Sequence, residues 1–92
     1  MANETPNKLS KSELFDKVET YYNKHEDGYV KLNFEIVHNY KTLKFVELYK
    51  YDGGIYGDDY TFYFKDENGK SSSWYLSTID IQTLNDIVNK MM

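Results

Sequence analysis

The chain reads as a single α+β domain in which two amphipathic helices pack against a four-stranded antiparallel meander, in the order α-β-β-β-β-α. Three observations predict this. The apolar period is three to four residues at both ends and two in the middle, the change that separates helix from half-buried strand. The period-two segments are joined by short stretches rich in Gly, Asp and Asn, which suit hairpins between sequence neighbours. Two separate capping patterns mark where the helices begin.

Residues 1–8 are polar, hold the only proline, Pro6, and read as a disordered lead-in. The domain itself is expected over 9–92. Ser10 and Glu13 have capping-box spacing, and Leu9 and Leu14 sit where a hydrophobic staple places them. Leu14, Val18, Tyr21, Tyr22 and His25 then form one apolar face of a helix over about 11–25, with Gly28 suited to the position past its end.

From Tyr29 the pattern alternates, with Val30, Leu32, Phe34 and Ile36 on one face. His38 to Lys41 is a tight connection. The next strand, about 42–51, breaks its own parity: Leu43 and Phe45 share one face, Val46 and Leu48 the other, and Tyr49 and Tyr51 return to the first. Either a bulge near Val46 shifts the register or both faces are covered. Asp52-Gly53-Gly54 through Gly57-Asp58 is a loop. A third strand over about 59–65 points Tyr60, Phe62 and Phe64 one way and Thr61, Tyr63 and Lys65 the other. Asn68-Gly69 signals a hairpin into a fourth strand, about 71–77, in which Trp74 and Leu76 alternate with Ser73, Tyr75 and Ser77. Asp80 caps a final helix, with Ile79 and Leu84 as a second staple and Leu84, Ile87, Val88 and Met91 on one face.

Composition narrows the function. The chain has no cysteine, which removes disulfides, thiolate ligands and a cysteine nucleophile, and it fits a reducing, cytoplasmic setting. The first residues lack the apolar run of a signal peptide or anchor, and no stretch is long and apolar enough to span a bilayer, so no membrane partner is expected. The net charge of −4 disfavours nonspecific attraction to phosphate, and all 11 basic residues are lysine, without the arginine fork that clamps phosphate and reads guanine. Lysine, asparagine and tyrosine in this excess also fit an AT-rich coding sequence, as in a low-GC bacterium or its phage.

Catalytic and cofactor chemistry finds little support. His25 and His38 lie on different elements and form neither HxH nor HxxxH. Ser71, Ser72 and Ser73 lack the strand-turn-helix setting of a nucleophile. Asp52, Asp58 and Asp59 could present oxygen to a hard cation, but their spacing is not that of an EF-hand and Asp-Gly loops are ordinary turns. Gly53, Gly54 and Gly57 match no phosphate-binding loop. The expectation is therefore a chain that is not an enzyme and needs no cofactor or metal.

The distinctive resource is tyrosine, with 10 in the chain and a dense block from Tyr49 to Tyr63. Strand parity turns Phe62, Phe64 and Tyr60 inward. It leaves Tyr63 and Tyr75 outward, joined by Tyr49 and Tyr51 if the bulge falls near Val46, and these four, with Tyr56 in the loop, are the candidates for protein contact. The expected partner is a protein or a second copy of the chain. Four antiparallel strands followed by a helix, with Ser73-Trp74-Tyr75-Leu76-Ser77 leading into that helix, also resembles the repeat order of whirly-type single-stranded DNA binders, the PUR-like domains among them. That resemblance, over about 29–92, implies a nucleic-acid partner, with Lys31, Lys41, Lys44, Lys50 and Lys65 as a positive track between the aromatics. A small acidic inhibitor of phage type is a further alternative, acting by covering a partner's surface.

Overall fold

The computed structural model describes residues 9–25 and 28–91, apart from the Tyr56 side chain. The segment 1–8, expected to be disordered, lies outside the described residues. Helix α1 (Lys11–Asn23) is followed by strands β1 (Tyr29–His38), β2 (Lys41–Asp52), β3 (Asp58–Lys65) and β4 (Ser71–Tyr75), and then by helix α2 (Ile81–Met91). Short 3-10 turns occupy Gly54–Tyr56 and Leu76–Thr78. The four strands form one antiparallel sheet in the order β1-β2-β3-β4, the expected meander.

The helix starts follow from the capping residues. The Ser10 hydroxyl accepts from the Glu13 N–H at 3.2 Å, and the Glu13 carboxylate accepts from the Ser10 N–H at 2.8 Å, closing the capping box. Those hydrogen bonds hold the Glu13 carboxyl below its ordinary value. At α2 the Asp80 carboxylate accepts from the Thr83 N–H at 3.0 Å and from its hydroxyl at 2.8 Å, and the same contacts depress the Asp80 pKa. The end of α1 differs from expectation. The helix stops at Asn23, Lys24 caps it in right-handed geometry, and Gly28, with φ of 82°, leads into β1 instead of closing the helix. His25 is therefore exposed beyond the helix, its ring 3.1 Å from the Tyr21 carbonyl, and not part of the apolar face.

Both helices cover the same side of the sheet. Leu14 and Val18 of α1 and Leu84, Ile87, Val88 and Met91 of α2 join Val30, Leu32, Ile36, Leu43, Phe45, Leu48, Tyr60, Phe62 and Phe64 in one core. Phe45 is its centre, with ring centroids 5.2 Å from Phe34, 5.9 Å from Phe62 and 5.2 Å from Phe64. The parity conflict in β2 is resolved by a bulge. Between matched pairs β1 advances from Lys31 to Phe34, β2 from Glu47 to Phe45 and β3 from Tyr63 to Phe64, so Val46 is an extra residue against β3. It lets Phe45 and Leu48 both face the core although they are an odd number of positions apart.

Bulges also strengthen sheet coiling. The end of the sheet near the β1–β2 turn curls toward the helices, so that His38 of β1 packs edge-on against Trp74 of β4 at 4.9 Å. That turn uses Asn39 and Tyr40 at φ of 51° and 64°, the left-handed pair that a two-residue hairpin requires. The β3–β4 hairpin turns through residues 66–70, the loop that the expected strand bounds leave. The Asp66 carboxylate accepts from the N–H groups of Asn68 and Lys70, each at 2.9 Å. In the β2–β3 loop a Cβ at Gly53 would collide with the Gly57 carbonyl oxygen, so the closed turn needs glycine there. Strand β4 is shorter than expected, because Leu76–Thr78 leaves the sheet as a 3-10 turn that buries Leu76.

Candidate functional site

The side of the sheet away from the helices carries the tyrosines, and the register sets them in rows. Tyr29, Tyr49, Thr61 and Tyr75 are cross-strand neighbours, and Lys31, Glu47, Tyr63 and Ser73 form the next row. Tyr51 lies opposite Asp59 at the end beside the β2–β3 loop. Glu35, Lys44, Lys65 and Ser71 make a polar row toward the other end. Tyr49, Tyr51, Tyr63 and Tyr75 retain 36%, 53%, 40% and 49% of their surface in solvent, which is large for side chains on a structured strand.

These rings are held against one another. Tyr29 stacks on Tyr49 at 5.7 Å, Tyr49 meets Tyr63 edge-on at 5.2 Å, and Tyr51 reaches Tyr75 at 5.8 Å. The Tyr51–Tyr75 pair comes from β2 and β4 and passes over β3, and Thr61 beneath it is buried despite lying on the helix-free face. The Tyr49 hydroxyl donates to the Glu47 carboxylate at 3.1 Å, and that hydrogen bond raises the Tyr49 pKa above the ordinary phenol value. A phenol that donates to a carboxylate gives up its proton less readily. The surface is thus a layer of mutually restrained rings with polar tips, the composition that binding surfaces use for large contact area at low entropy cost.

The structure brings four of the sequence-derived contact residues together, Tyr49, Tyr51, Tyr63 and Tyr75. Tyr56 falls in the 3-10 turn beside them, and its side chain lies outside the described residues. Tyr29 was missing from the expected set. Its parity, opposite to Val30 and equal to that of Lys31, was the available signal. Ile55, almost fully exposed in the same loop, extends the apolar surface at that end.

The remaining candidates resolve into structural roles. The Asp52 carboxylate accepts from the Gly54 N–H at 2.9 Å, Asp58 pairs with Lys50 at 3.2 Å, and Asp59 accepts from the Ser77 hydroxyl and from the Tyr60 N–H. Among the described residues no three His, Cys, Asp or Glu side chains are grouped as a metal site. His38 lines a shallow depression with Trp74, Thr78, Ile79, Asp80 and Thr83, where the Asp80 carboxylate is engaged in capping α2. Among the described residues no helix is long and apolar enough to cross a membrane. No protein-family model matches the chain, and neither a curated protein nor a solved structure does.

Proposed function

We propose that this chain is a non-enzymatic protein-binding module whose contact surface is the helix-free sheet face centred on Tyr49, Tyr51, Tyr63 and Tyr75, with Tyr29 as a further member. The observation that carries this reading is the set of five ring-paired tyrosines on the face that neither helix covers. Solubility would be served better by charge there, and core packing does not require it. The rings are already ordered by one another, so covering them costs little further side-chain entropy. An acidic inhibitor that occludes a partner's surface would use the same face in the same way.

A whirly-like nucleic-acid role draws support from Lys31, Lys44 and Lys65, which share the face with the rings. Glu35, Glu47 and Asp59 on the same side balance them, and Lys50 is paired with Asp58. The face is neutral overall, a poor surface for a phosphate backbone.

A photo-activatable phenylalanine analogue placed at Tyr63 tests the reading in cells, with the same group at Gln82 on α2 as control. Discrete protein adducts from position 63 and none from 82 are expected. Adducts from neither position, or equally from both, overturn it. Single-stranded DNA binding that weakens steeply with salt would transfer the face to the nucleic-acid reading.

A further inference from the structure

We infer that the partner of the tyrosine face is a second copy of this chain, packed face to face about a two-fold axis that runs parallel to the strands between β2 and β3. The inference rests on the protein-contact reading above and adds the occupant and its register.

Charge selects the occupant. The chain carries a net charge of −4, so two copies repel wherever acidic surface meets acidic surface. The tyrosine face is the exception, since Lys31, Lys44 and Lys65 balance Glu35, Glu47 and Asp59. A strongly basic or acidic partner finds no complementary field there, whereas an identical neutral face meets no penalty.

The two tyrosine-bearing rows are self-complementary under that axis, which lays β1 over β4 and β2 over β3 of the other copy. Tyr29 then faces Tyr75 of the second copy, and Glu47 faces Tyr63 of the second copy. The Glu47 carboxylate receives the Tyr49 hydroxyl on Oε1. Its other oxygen is placed to receive the Tyr63 hydroxyl across the interface. The polar tips that contact would desolvate are thereby given partners. Under the same axis Lys44 would face Lys65 of the second copy, so the contact is confined to the tyrosine-bearing rows and the Glu35/Lys44/Lys65 row is left at its solvated rim.

Area sets the strength. With a whole tyrosine side chain at roughly 200 Å², exposures of 36%, 53%, 40% and 49% leave on the order of 350 Å² of ring surface to cover. A stable interface uses about 800 Å² per partner. The pair is therefore a weak, concentration-dependent dimer and not an obligate one.

Sedimentation velocity over a concentration series up to high micromolar tests this. The wild-type chain is expected to pass from monomer to dimer, and Tyr63→Glu, which sets a second carboxylate against Glu47, to raise the dimer dissociation constant tenfold or more. Ile81→Lys, on the exposed side of α2, should leave it unchanged. Tyr63→Ser serves as the milder variant, and Trp74 fluorescence verifies that each variant is folded. The chain contains no cysteine, which makes a second measurement clean. A Tyr29→Cys/Tyr75→Cys double variant treated with a bismaleimide spanning the roughly 10 Å between packed sheets should give a covalent dimer, and each single variant should not. A wild-type chain that stays monomeric overturns the inference, while adducts to another protein at position 63 would still uphold the protein-contact reading. A dimer indifferent to Tyr63→Glu also overturns it, since that result assigns association to an edge strand such as β4.

Discussion

Tyr60 shows how one side chain can serve the core at a cost. It is fully buried, its ring lies edge-on to Phe15 at 5.6 Å and Tyr22 at 5.4 Å, and its hydroxyl has no hydrogen-bond partner among the described residues. An unsatisfied buried hydroxyl costs about 1–3 kcal/mol. Tyr60→Phe keeps the ring and removes the hydroxyl, so chemical denaturation at neutral pH is expected to show stability unchanged or raised by about 1 kcal/mol. Burial also pushes the Tyr60 phenol up to about 12. An unfolded tyrosine ionises near the ordinary phenol value of about 10, so between these two pH values the unfolded chain has lost a proton that the folded chain retains. Stability contributed by the neutral buried phenol is complete below the lower value and falls as pH rises to the upper one. The phenylalanine variant should lose less stability across that window, and an identical alkaline slope in both proteins would refute the assignment. Parity in β3 already placed Tyr60 inward. Its missing partner was not legible, because hydroxyl satisfaction depends on what α1 brings overhead.

The β2 strand carries the main decision at the level of elements. Val46 is half-buried, and its value is positional: as an extra residue against β3 it lets Leu43 and Phe45 face the helices together with Leu48. Deleting Val46 should turn Leu43 and Phe45 toward solvent or pull Leu48 out of the core. Either outcome is expected to cost about 3–5 kcal/mol, the range for losing a buried aromatic. Val46→Ala keeps the register and should cost about 1 kcal/mol or less. Urea denaturation of the two variants separates register from side chain, and equal losses would sink the argument. The sequence showed this bulge only as a contradiction in parity, since alternation alone cannot choose between an inserted residue and a strand covered on both sides. The helices were easier to read because Ser10, Glu13 and Asp80 fix their starts by local hydrogen bonds. Elsewhere one local pattern fits two different backbones. Gly28 resembled a helix cap but lies beyond the end of α1, and Leu76 continued the alternation of β4 while its backbone had left the sheet for a 3-10 turn. Tyr29 takes the outward side by the same parity as Lys31, a signal carried only by the residues that follow it because it begins the strand.

On the scale of the whole molecule, net charge and local charge act in opposite directions, and salt distinguishes them. Two copies bring together two charges of −4, a repulsion that acts over the Debye length and is screened as that length shrinks from about 10 Å at 0.1 M salt to about 3 Å at 1 M. The tyrosine face that meets its copy is neutral, so screening removes little attraction there. Self-association should therefore strengthen modestly, by roughly 2- to 10-fold in association constant, as salt rises over that range. Engagement of a nucleic acid through Lys31, Lys44 and Lys65 would behave oppositely, since each neutralised phosphate releases counterions and binding falls steeply with salt. Sedimentation equilibrium at low and high salt measures the sign directly. A dimer that weakens as salt is added would mean that opposite charges carry the contact, and would move the interface from the tyrosine rows toward the Glu35/Lys44/Lys65 row.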